Sequence, residues 1–211
     1  MAHIKNIIFD YGNVIFAIDF LRTQNAFSQL GIPNAEQFFA HKTHHQLFND
    51  FETGAISPVL FRDGIRKAAN RPALSDQQID DAWNSLLIGV SGNNHQVLLE
   101  VKQKYRTFLL SNNNKIHYDW IMSYLQKDFG LNGYEEYFEK AYFSQDTNMR
   151  KPDPAIFEMV LKDNNLVATE TLFIDDSPQH IEGAKKVGLN TLLMNVHPEN
   201  LNEFLKENQI L

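Results

Sequence analysis

Carboxylate residues stand at the ends of short apolar runs in two distant parts of this 211-residue chain. Asp10 follows Ile7-Ile8-Phe9, and the pair Asp175 and Asp176 follows Leu172-Phe173-Ile174. A carboxylate can serve as a nucleophile that divides one hydrolysis into two easier displacements. Carboxylate oxygens are also the hard ligands that Mg²⁺ prefers. Because carboxylates placed together would repel one another without a cation, the pattern favours a metal-dependent site.

Hydrogen-bond donors and a lysine occupy similar places. Ser111 and Asn112 follow the apolar run Thr107–Leu110, and Lys151 precedes Pro152. The hydroxyl and the amide can donate to phosphoryl oxygens, and the lysine can supply a positive charge beside them. Each segment alone is better explained as ordinary loop chemistry, and the aspartate pair alone as a helix cap. Their shared position matters because ligands of open parallel sheets bind beyond the carboxyl ends of the strands.

Strands that would position these side chains are predicted from short apolar runs separated by segments with helical periodicity. The runs lie at Ile4–Phe9, Thr107–Leu110, Ala141–Phe143, Thr171–Ile174 and Thr191–Met194. Helices are predicted from about Asp153 or Pro154, and from about Ser177 or Pro178 to a C-cap at Gly188. This alternation predicts an α/β fold, a Rossmann-like three-layer sandwich with a mainly parallel sheet.

A helical insert is predicted between Phe16 and about Gly92. Its apolar residues fall at helical spacings without obvious strands, and glycine and proline residues divide it into several short helices. The predicted division is a core of residues 1–15 and 93–211, with a small α-helical domain of residues 16–92 inserted after the first strand. We expect aromatic residues to form the core of this insert, among them Phe38, Phe39, Phe48 and Phe51.

Three histidines of the insert, His41, His44 and His45, form another group that has the spacing of metal ligands. This spacing places them on one face of a helix. No neighbouring carboxylate or histidine completes a clear ligand set, so a structural role is expected, with contact to a substrate as the alternative.

Composition excludes several other classes of function. The formal net charge of −7 argues against binding to nucleic acid, which needs basic side chains. The chain has no cysteine, which excludes disulfides, thiolate nucleophiles and cysteine zinc sites. The N-terminus lacks the features of a signal peptide, and no apolar run approaches the ~18 residues of a membrane span. We therefore expect a cytoplasmic protein without a nucleic-acid or membrane partner. The acidic composition does not exclude a small anionic substrate, which needs only a local positive site, and the oligomeric state stays open.

Four short segments, taken in order, resemble the motifs of the haloacid dehalogenase superfamily. They are Phe9-Asp10-Tyr11-Gly12-Asn13-Val14, Leu110-Ser111-Asn112, Arg150-Lys151-Pro152 and Ile174-Asp175-Asp176. Each segment is a weak signal, but the ordered set spans nearly the whole chain. The first segment, together with Ser144-Gln145-Asp146 ahead of Met149-Arg150-Lys151-Pro152, is most similar to the sugar-phosphate phosphatase branch typified by the bacterial alpha-D-glucose-1-phosphate phosphatase.

The resemblance implies a magnesium-dependent phosphatase whose partner is a small phosphorylated metabolite. The enzyme would hydrolyse a phosphomonoester, such as a sugar phosphate, through an aspartyl phosphate on Asp10. It also implies that the insert is the helical cap of the superfamily. The implied Mg²⁺ ligands are Asp10, the main-chain carbonyl of Gly12 and Asp176, with Asp175 as the other candidate of the pair. The implied phosphate-binding residues are Tyr11, Gly12, Ser111, Asn112 and Lys151.

Gly12 departs from the pattern of the superfamily. Most of its phosphatases carry an aspartate at this position, which protonates the leaving oxygen and later activates water. Glycine can do neither. A substrate with a good leaving group, such as an anomeric sugar phosphate, is one explanation. A proton supplied by an insert residue or by water is the other.

Two alternative functions keep the same fold. A dehalogenase-type hydrolase would also use Asp10 as its nucleophile, but halide displacement needs no Mg²⁺ and would leave Asp175 and Asp176 without a purpose. A non-catalytic phosphate-binding regulatory protein is the second alternative, and it is favoured only by Gly12.

Overall fold

A parallel sheet of five strands forms the centre of the protein. The computed structural model describes residues 3–32 and 46–211. Its strands are β1 (Asn6–Phe9), β2 (Phe16–Ile18), β3 (Leu87–Val90), β4 (Arg106–Ser111), β5 (Lys140–Phe143), β6 (Thr171–Asp175) and β7 (Asn190–Leu193). The central sheet has the order β5-β4-β1-β6-β7. All five of its strands lie where the sequence predicts them, with boundaries that differ by one or two residues.

Helices cover both faces of this sheet. The α-helices of the described residues are α1 (Phe20–Gln29), α2 (Gln46–Glu52), α3 (Pro58–Ala69), α4 (Asp76–Asn84), α5 (Asn94–Lys102), α6 (Lys115–Phe129), α7 (Ser144–Thr147), α8 (Pro154–Asp163), α9 (Pro178–Lys185) and α10 (Leu201–Glu207). Because alternate residues of a strand face opposite sides, Ile7 and Phe9 pack with α5 and α6, whereas Ile8 packs with α8 and α9. The predicted three-layer α/β fold is confirmed. No helix in the described part of the chain is both long and apolar enough to cross a membrane.

The two core helices predicted from the sequence begin at the predicted prolines. α8 begins at Pro154, and the side chain of Asp153 caps it by accepting a main-chain N–H at 3.0 Å. α9 begins at Pro178. Gly188 adopts a φ of 83° and donates its N–H to the carbonyl of Lys185 at 3.0 Å. This left-handed residue closes the last turn, as predicted.

The described part of the helical insert contains α1 to α4, and its core is aromatic. Phe51 and Phe61 stack with their ring centroids 4.2 Å apart, and Phe48 stacks on Trp83 at 5.3 Å. These side chains belong to an apolar cluster separate from those of the sheet. The expectation that Phe48 and Phe51 form the insert core is confirmed. The remaining candidates named above lie outside the described residues: Phe38, Phe39, His41, His44 and His45.

The prediction that the insert has no strands is wrong at both of its ends. β2 and β3 pair antiparallel, with Phe16 opposite Val90. The strands contain three and four residues, too few for alternation to stand out, and each needs a partner far away in the sequence. The side chains of Phe16 and Leu87 join the apolar cluster of the sheet, so this ribbon connects the insert to the core. The domain division at 16–92 stays a prediction.

Candidate active site

The carboxyl ends of β1, β4 and β6 lie side by side, because β1 pairs in parallel with both neighbours. Phe9, the last residue of β1, lies opposite Leu109 and Ile174. Asp10 comes next, and its N–H donates to the carbonyl of Ile174 at 2.9 Å. This register brings Asp10 to the same edge of the sheet as Asp175, which ends β6.

A buried lysine bridges these two aspartates. Nζ of Lys151 lies 2.7 Å from Oδ1 of Asp10 and 2.7 Å from Oδ2 of Asp175, and its side chain is 0% exposed. The ammonium also lies 5.3 Å from the ring centroid of Phe173, which favours a cation. Burial lowers the pKa of Lys151, but the two carboxylates outweigh burial and the net shift is upward. Lys151 is therefore a fixed positive charge at the end of β1.

Three carboxylates face one another beside this lysine. Oxygens of Asp10, Asp175 and Asp176 lie within 4.8 Å of one another. Burial, opposed by Lys151 and reinforced by the other two aspartates, raises the pKa of Asp10 to about 7. Burial and the charge of Asp175 also raise the pKa of Asp176. Because one ammonium cannot balance three carboxylates, this set of hard oxygen atoms fits a divalent cation such as Mg²⁺.

The two adjacent aspartates have different surroundings. Asp175 is fully buried and accepts hydrogen bonds from Lys151, from the N–H of Ser177 at 2.8 Å and from Nδ1 of His180 at 2.9 Å. Burial raises the pKa of Asp175, but Lys151 and His180 outweigh burial and the net shift is downward. Asp176 is half-buried. Asp175 is thus held by protein donors, whereas Asp176 lies on the accessible side.

An open cleft of about 400 Å³ begins at Asp176. Its other lining residues are Asn13, Met194, Asn195, Val196, His197 and Pro198. Of the three carboxylates, Asp176 lines this cleft, so the cleft gives solvent access to the cluster at Asp176. The volume is sufficient for a small ligand.

The first two residues after Asp10 present main chain, not side chains, to this site. The ring of Tyr11 is buried and stacks on Phe16 at 5.2 Å, so only the main chain of Tyr11 remains for phosphate. A Cβ added to Gly12 would lie 3.0 Å from Cδ1 of Ile18. The space next to Gly12 is therefore bordered by an apolar side chain.

Ser111 and Asn112 differ in what they offer. Ser111 is buried at the end of β4, the strand that pairs with β1. The side chain of Asn112 pairs with the main chain of Lys151: Nδ2 donates to the carbonyl at 2.9 Å, and Oδ1 accepts the N–H at 2.9 Å. The amide proposed as a phosphate donor is thus already engaged at one edge.

The next two asparagines fasten the same loop to other elements. The N–H of Asn113 donates to Oγ of Ser144 at 2.9 Å. Oδ1 of Asn114 accepts from Nε1 of Trp83 in the insert at 3.2 Å, and its Nδ2 lies 2.9 Å from Nδ1 of His117. Burial lowers the pKa of His117 to about 4, so the ring is neutral and donates from Nε2 to the carbonyl of Trp83 at 3.0 Å.

The insert also contacts the segment that precedes Lys151. Oγ of Ser144 donates to the carbonyl of Glu52 at 2.6 Å, and Arg150 pairs with the Glu52 carboxylate at 2.9 Å. A Cβ added to Gly54 would lie 2.3 Å from the carbonyl oxygen of Gln145, so main chain meets main chain here. The insert is therefore seated closely on the core beside the site.

Sequence reasoning missed several of these residues. His180 lies five positions after Asp175, in the first turn of α9, and its position on the first turn after the motif is the signal that was available. Asn113 and Asn114 follow Asn112 directly, but the sequence does not indicate what they bind. The side chains of Asn112 and Asn114 bind Lys151 and Trp83, whereas Oδ1 of Asn113 accepts the N–H of Asn114 within the loop at 2.8 Å.

Comparison with known proteins places these observations in a family. The chain is 31% identical to the D-ribitol-5-phosphate phosphatase of Bacteroides thetaiotaomicron over 199 residues, which cover 93% of each protein. The family model of haloacid dehalogenase-like hydrolases matches residues 87–194. The chain belongs to the haloacid dehalogenase-like hydrolase family. The resemblance to the haloacid dehalogenase superfamily is confirmed, and the closer resemblance to the glucose-1-phosphate phosphatase branch stays a prediction.

Solved structures agree with this membership. A family enzyme from Bacteroides thetaiotaomicron, solved with magnesium and inorganic phosphate, superposes with a TM-score of 0.84 at 37% identity, covering 90% of this chain and 93% of that one. A family hydrolase from Porphyromonas gingivalis superposes with a TM-score of 0.87 at 29% identity, covering 98% of both chains. The fold and the order of the site elements are thus those of the family.

Proposed function

We propose that this protein is a magnesium-dependent phosphatase that hydrolyses a small sugar or polyol phosphate through a phosphorylated Asp10. The observation that carries the proposal is the pairing of Asp10 with the buried Lys151 inside a cluster of three carboxylates at the end of β1. A relative named for ribitol-5-phosphate hydrolysis, matched along 93% of both chains, supports the substrate class.

The carboxylate cluster would hold Mg²⁺. We assign Asp10, Asp176 and the main-chain carbonyl of Gly12 as ligands, because Asp175 is already engaged by Lys151, Ser177 and His180. Asp175 would then position the neighbouring side chains without binding the cation itself. When bound, the cation would offset the repulsion between the carboxylates and an incoming phosphate dianion. A family structure solved with magnesium and phosphate supports the choice of Mg²⁺ as the cation.

The remaining residues would hold the phosphoryl group for transfer. Lys151 supplies a positive charge, Ser111 a hydroxyl, and the main-chain N–H groups of Tyr11, Gly12 and Asn112 complete the set of donors. The Asp10 carboxylate attacks phosphorus as the bond to the leaving oxygen breaks. Water then attacks the aspartyl phosphate, releases inorganic phosphate and restores Asp10.

The proton for the leaving oxygen has to come from elsewhere than position 12. Gly12 carries no acid, and Ile18 borders the space that an acidic side chain would need. A substrate whose leaving oxygen is weakly basic, as in an anomeric phosphate, reduces the need for an acid. D-ribitol 5-phosphate is a primary alkyl phosphate, so it would require a proton from water or from the insert.

A phosphate-release screen tests the proposal. Purified protein with Mg²⁺ is assayed against polyol phosphates, anomeric sugar phosphates and sugar phosphates with the ester on a primary carbon. We expect release that is abolished by EDTA, restored by added Mg²⁺, and reduced at least ~10⁴-fold in Asp10→Asn. Equal activity in Asp10→Asn, or activity insensitive to chelation, would contradict the proposal.

A further inference from the structure

We propose that Asn112 is a positioning residue that acts through Lys151, and that its side chain is not itself a ligand of the phosphoryl group. This inference rests on the proposed phosphatase function. It assigns a role to a residue that lies directly after the phosphate-binding Ser111 and whose side chain the sequence predicts to contact phosphate.

The two amide edges form a closed pair. Nδ2 of Asn112 donates to the carbonyl of Lys151, Oδ1 accepts from the N–H of Lys151, and both distances are 2.9 Å. Two antiparallel hydrogen bonds between planar groups fix direction as well as distance, as a pair of residues in a β-ladder does. Asn112 therefore sets where the main chain of Lys151 lies and how it is turned.

Helix α9 contacts the segment Lys151-Pro152 from another side. A Cβ added to Gly183 would lie 2.3 Å from the carbonyl oxygen of Pro152, so this glycine allows α9 to touch the main chain. The segment that carries Lys151 is thus fixed by Asn112 and by Gly183.

The ammonium position depends on that fixation. Nζ of Lys151 has to lie 2.7 Å from oxygens of both Asp10 and Asp175, in a site where its side chain is 0% exposed. A buried ion pair is favourable only when its geometry is close to ideal, because each charge has lost its water. A displaced main chain at position 151 would therefore disturb the charge that faces the phosphoryl group.

A double-mutant cycle separates this role from direct binding. Asn112→Ala and Lys151→Met are made singly and together, with p-nitrophenyl phosphate as the substrate and calorimetric binding of inorganic phosphate in the presence of Mg²⁺ as a second readout. Each protein is first shown to be folded by its melting temperature. Sites that act as one unit give non-additive losses, whereas independent contacts give additive ones.

We expect Asn112→Ala alone to lower kcat/KM and phosphate affinity by roughly 10- to 100-fold, as for loss of hydrogen bonds to a charged site. In the Lys151→Met background the same change should lower both by less than about 3-fold. Asn112→Ser, which keeps a polar side chain, provides a second pair should the alanine variant fail to fold.

Asn190→Ala is the matched control. Nδ2 of Asn190 also donates to main-chain carbonyls, those of Thr169 and Thr171, but at the opposite end of β6. This variant should lose stability without losing kcat/KM, which separates a general structural effect from a positional one.

Equal losses from Asn112→Ala in both backgrounds would overturn the inference and make Asn112 a direct phosphate contact, while leaving the proposed function intact. A wild-type protein that neither releases nor binds phosphate would overturn the proposed function, and the inference with it. The inference is supported if Asn112→Ala lowers kcat/KM and phosphate affinity when Lys151 is present but not when it is replaced by methionine.

Discussion

The side of the site around Lys151 and the side around Gly12 are built in opposite ways. On the first side, charged and polar groups meet at hydrogen-bond distances, with Nζ of Lys151 2.7 Å from each of two carboxylates. On the second side, a glycine faces the side chain of Ile18. Under the proposed function, the side around Lys151 would supply fixed groups that hold the phosphoryl group. The side around Gly12 supplies no acid, so the proton of the leaving oxygen would have to come from water or from the insert, or be unnecessary for a good leaving group.

Removal of the buried charge tests the first side most severely. In Lys151→Met we expect kcat/KM to fall by roughly 10²- to 10³-fold, because the transferring phosphoryl group loses a preorganised positive partner. Lys140→Met is the control, since Lys140 also pairs with a carboxylate, Asp163 at 2.9 Å, but on the surface. Steady-state kinetics on the best substrate of the screen provide the measurement. Equal values of kcat/KM in the two variants would show that Lys151 has no part in phosphoryl transfer.

Installing an acid tests the second side. Gly12→Asp is combined with Ile18→Val, because a Cβ at position 12 would lie 3.0 Å from Cδ1 of Ile18. We expect turnover of alkyl phosphates to rise by at least ~10-fold relative to anomeric phosphates, since only the poorer leaving group needs a proton.

Gly12→Ala with Ile18→Val is the control for this experiment, because it adds the Cβ without the carboxylate. The ratio of alkyl to anomeric turnover is measured for all three proteins. An unchanged ratio in the aspartate variant, with Mg²⁺ still bound, would show that the leaving-group explanation of Gly12 is wrong.

A pair of glycines tests whether the seating of the insert matters to either side. Gly54 and Gly130 have nearly the same left-handed φ, 72° and 71°, but an added Cβ meets the carbonyl of Gln145 at 2.3 Å in the first case and nothing within 4 Å in the second. Gly130→Ala should cost about 1 kcal/mol of unfolding free energy and leave kcat/KM unchanged. Gly54→Ala should cost a further ~1–3 kcal/mol and lower kcat/KM several-fold.

Urea unfolding and steady-state kinetics on the two glycine variants provide these values. Equal effects of the two substitutions would show that the contact between Gly54 and Gln145 does not seat the insert, and that closure against the core comes from elsewhere.

Acid pH should weaken the attachment of the insert through His117. Burial lowers the pKa of this histidine from 6.5 to about 4, so the unfolded chain takes up a proton before the folded one does. The stability that His117 contributes is therefore present above about pH 6.5 and is lost as the pH falls towards 4, by at most ~3 kcal/mol. His117→Gln should show a smaller loss between pH 7 and pH 5 in denaturant unfolding. Identical pH dependence in both proteins would contradict this.

The charged side of the site could be predicted from the sequence, and much of the rest could not. Asp10 and the aspartate pair each follow an apolar run, and buried strands in a parallel sheet align such ends by their register. Each apolar run and the carboxylate after it are adjacent in the chain, so this feature can be recognised from a single sequence.

What escaped prediction depends on contacts between distant residues. The pairing of Asn112 with Lys151 joins residues 39 positions apart, and nothing in either neighbourhood indicates which donors will be engaged. The ribbon of β2 and β3 escaped for the same reason, because strands of three and four residues form only when their partner is present. The contact of His180 with Asp175 can be predicted only when the position of α9 relative to β6 is known.

Direct detection of phosphorylated Asp10 tests the central claim. Protein mixed with Mg²⁺ and the best substrate is quenched in acid within the first turnover, and the peptide that contains Asp10 is analysed by mass spectrometry. We expect one added phosphoryl group on Asp10, formed in a burst and absent in Asp10→Asn. Full phosphate release by the wild-type protein with no such adduct, or an adduct at another residue, would contradict it.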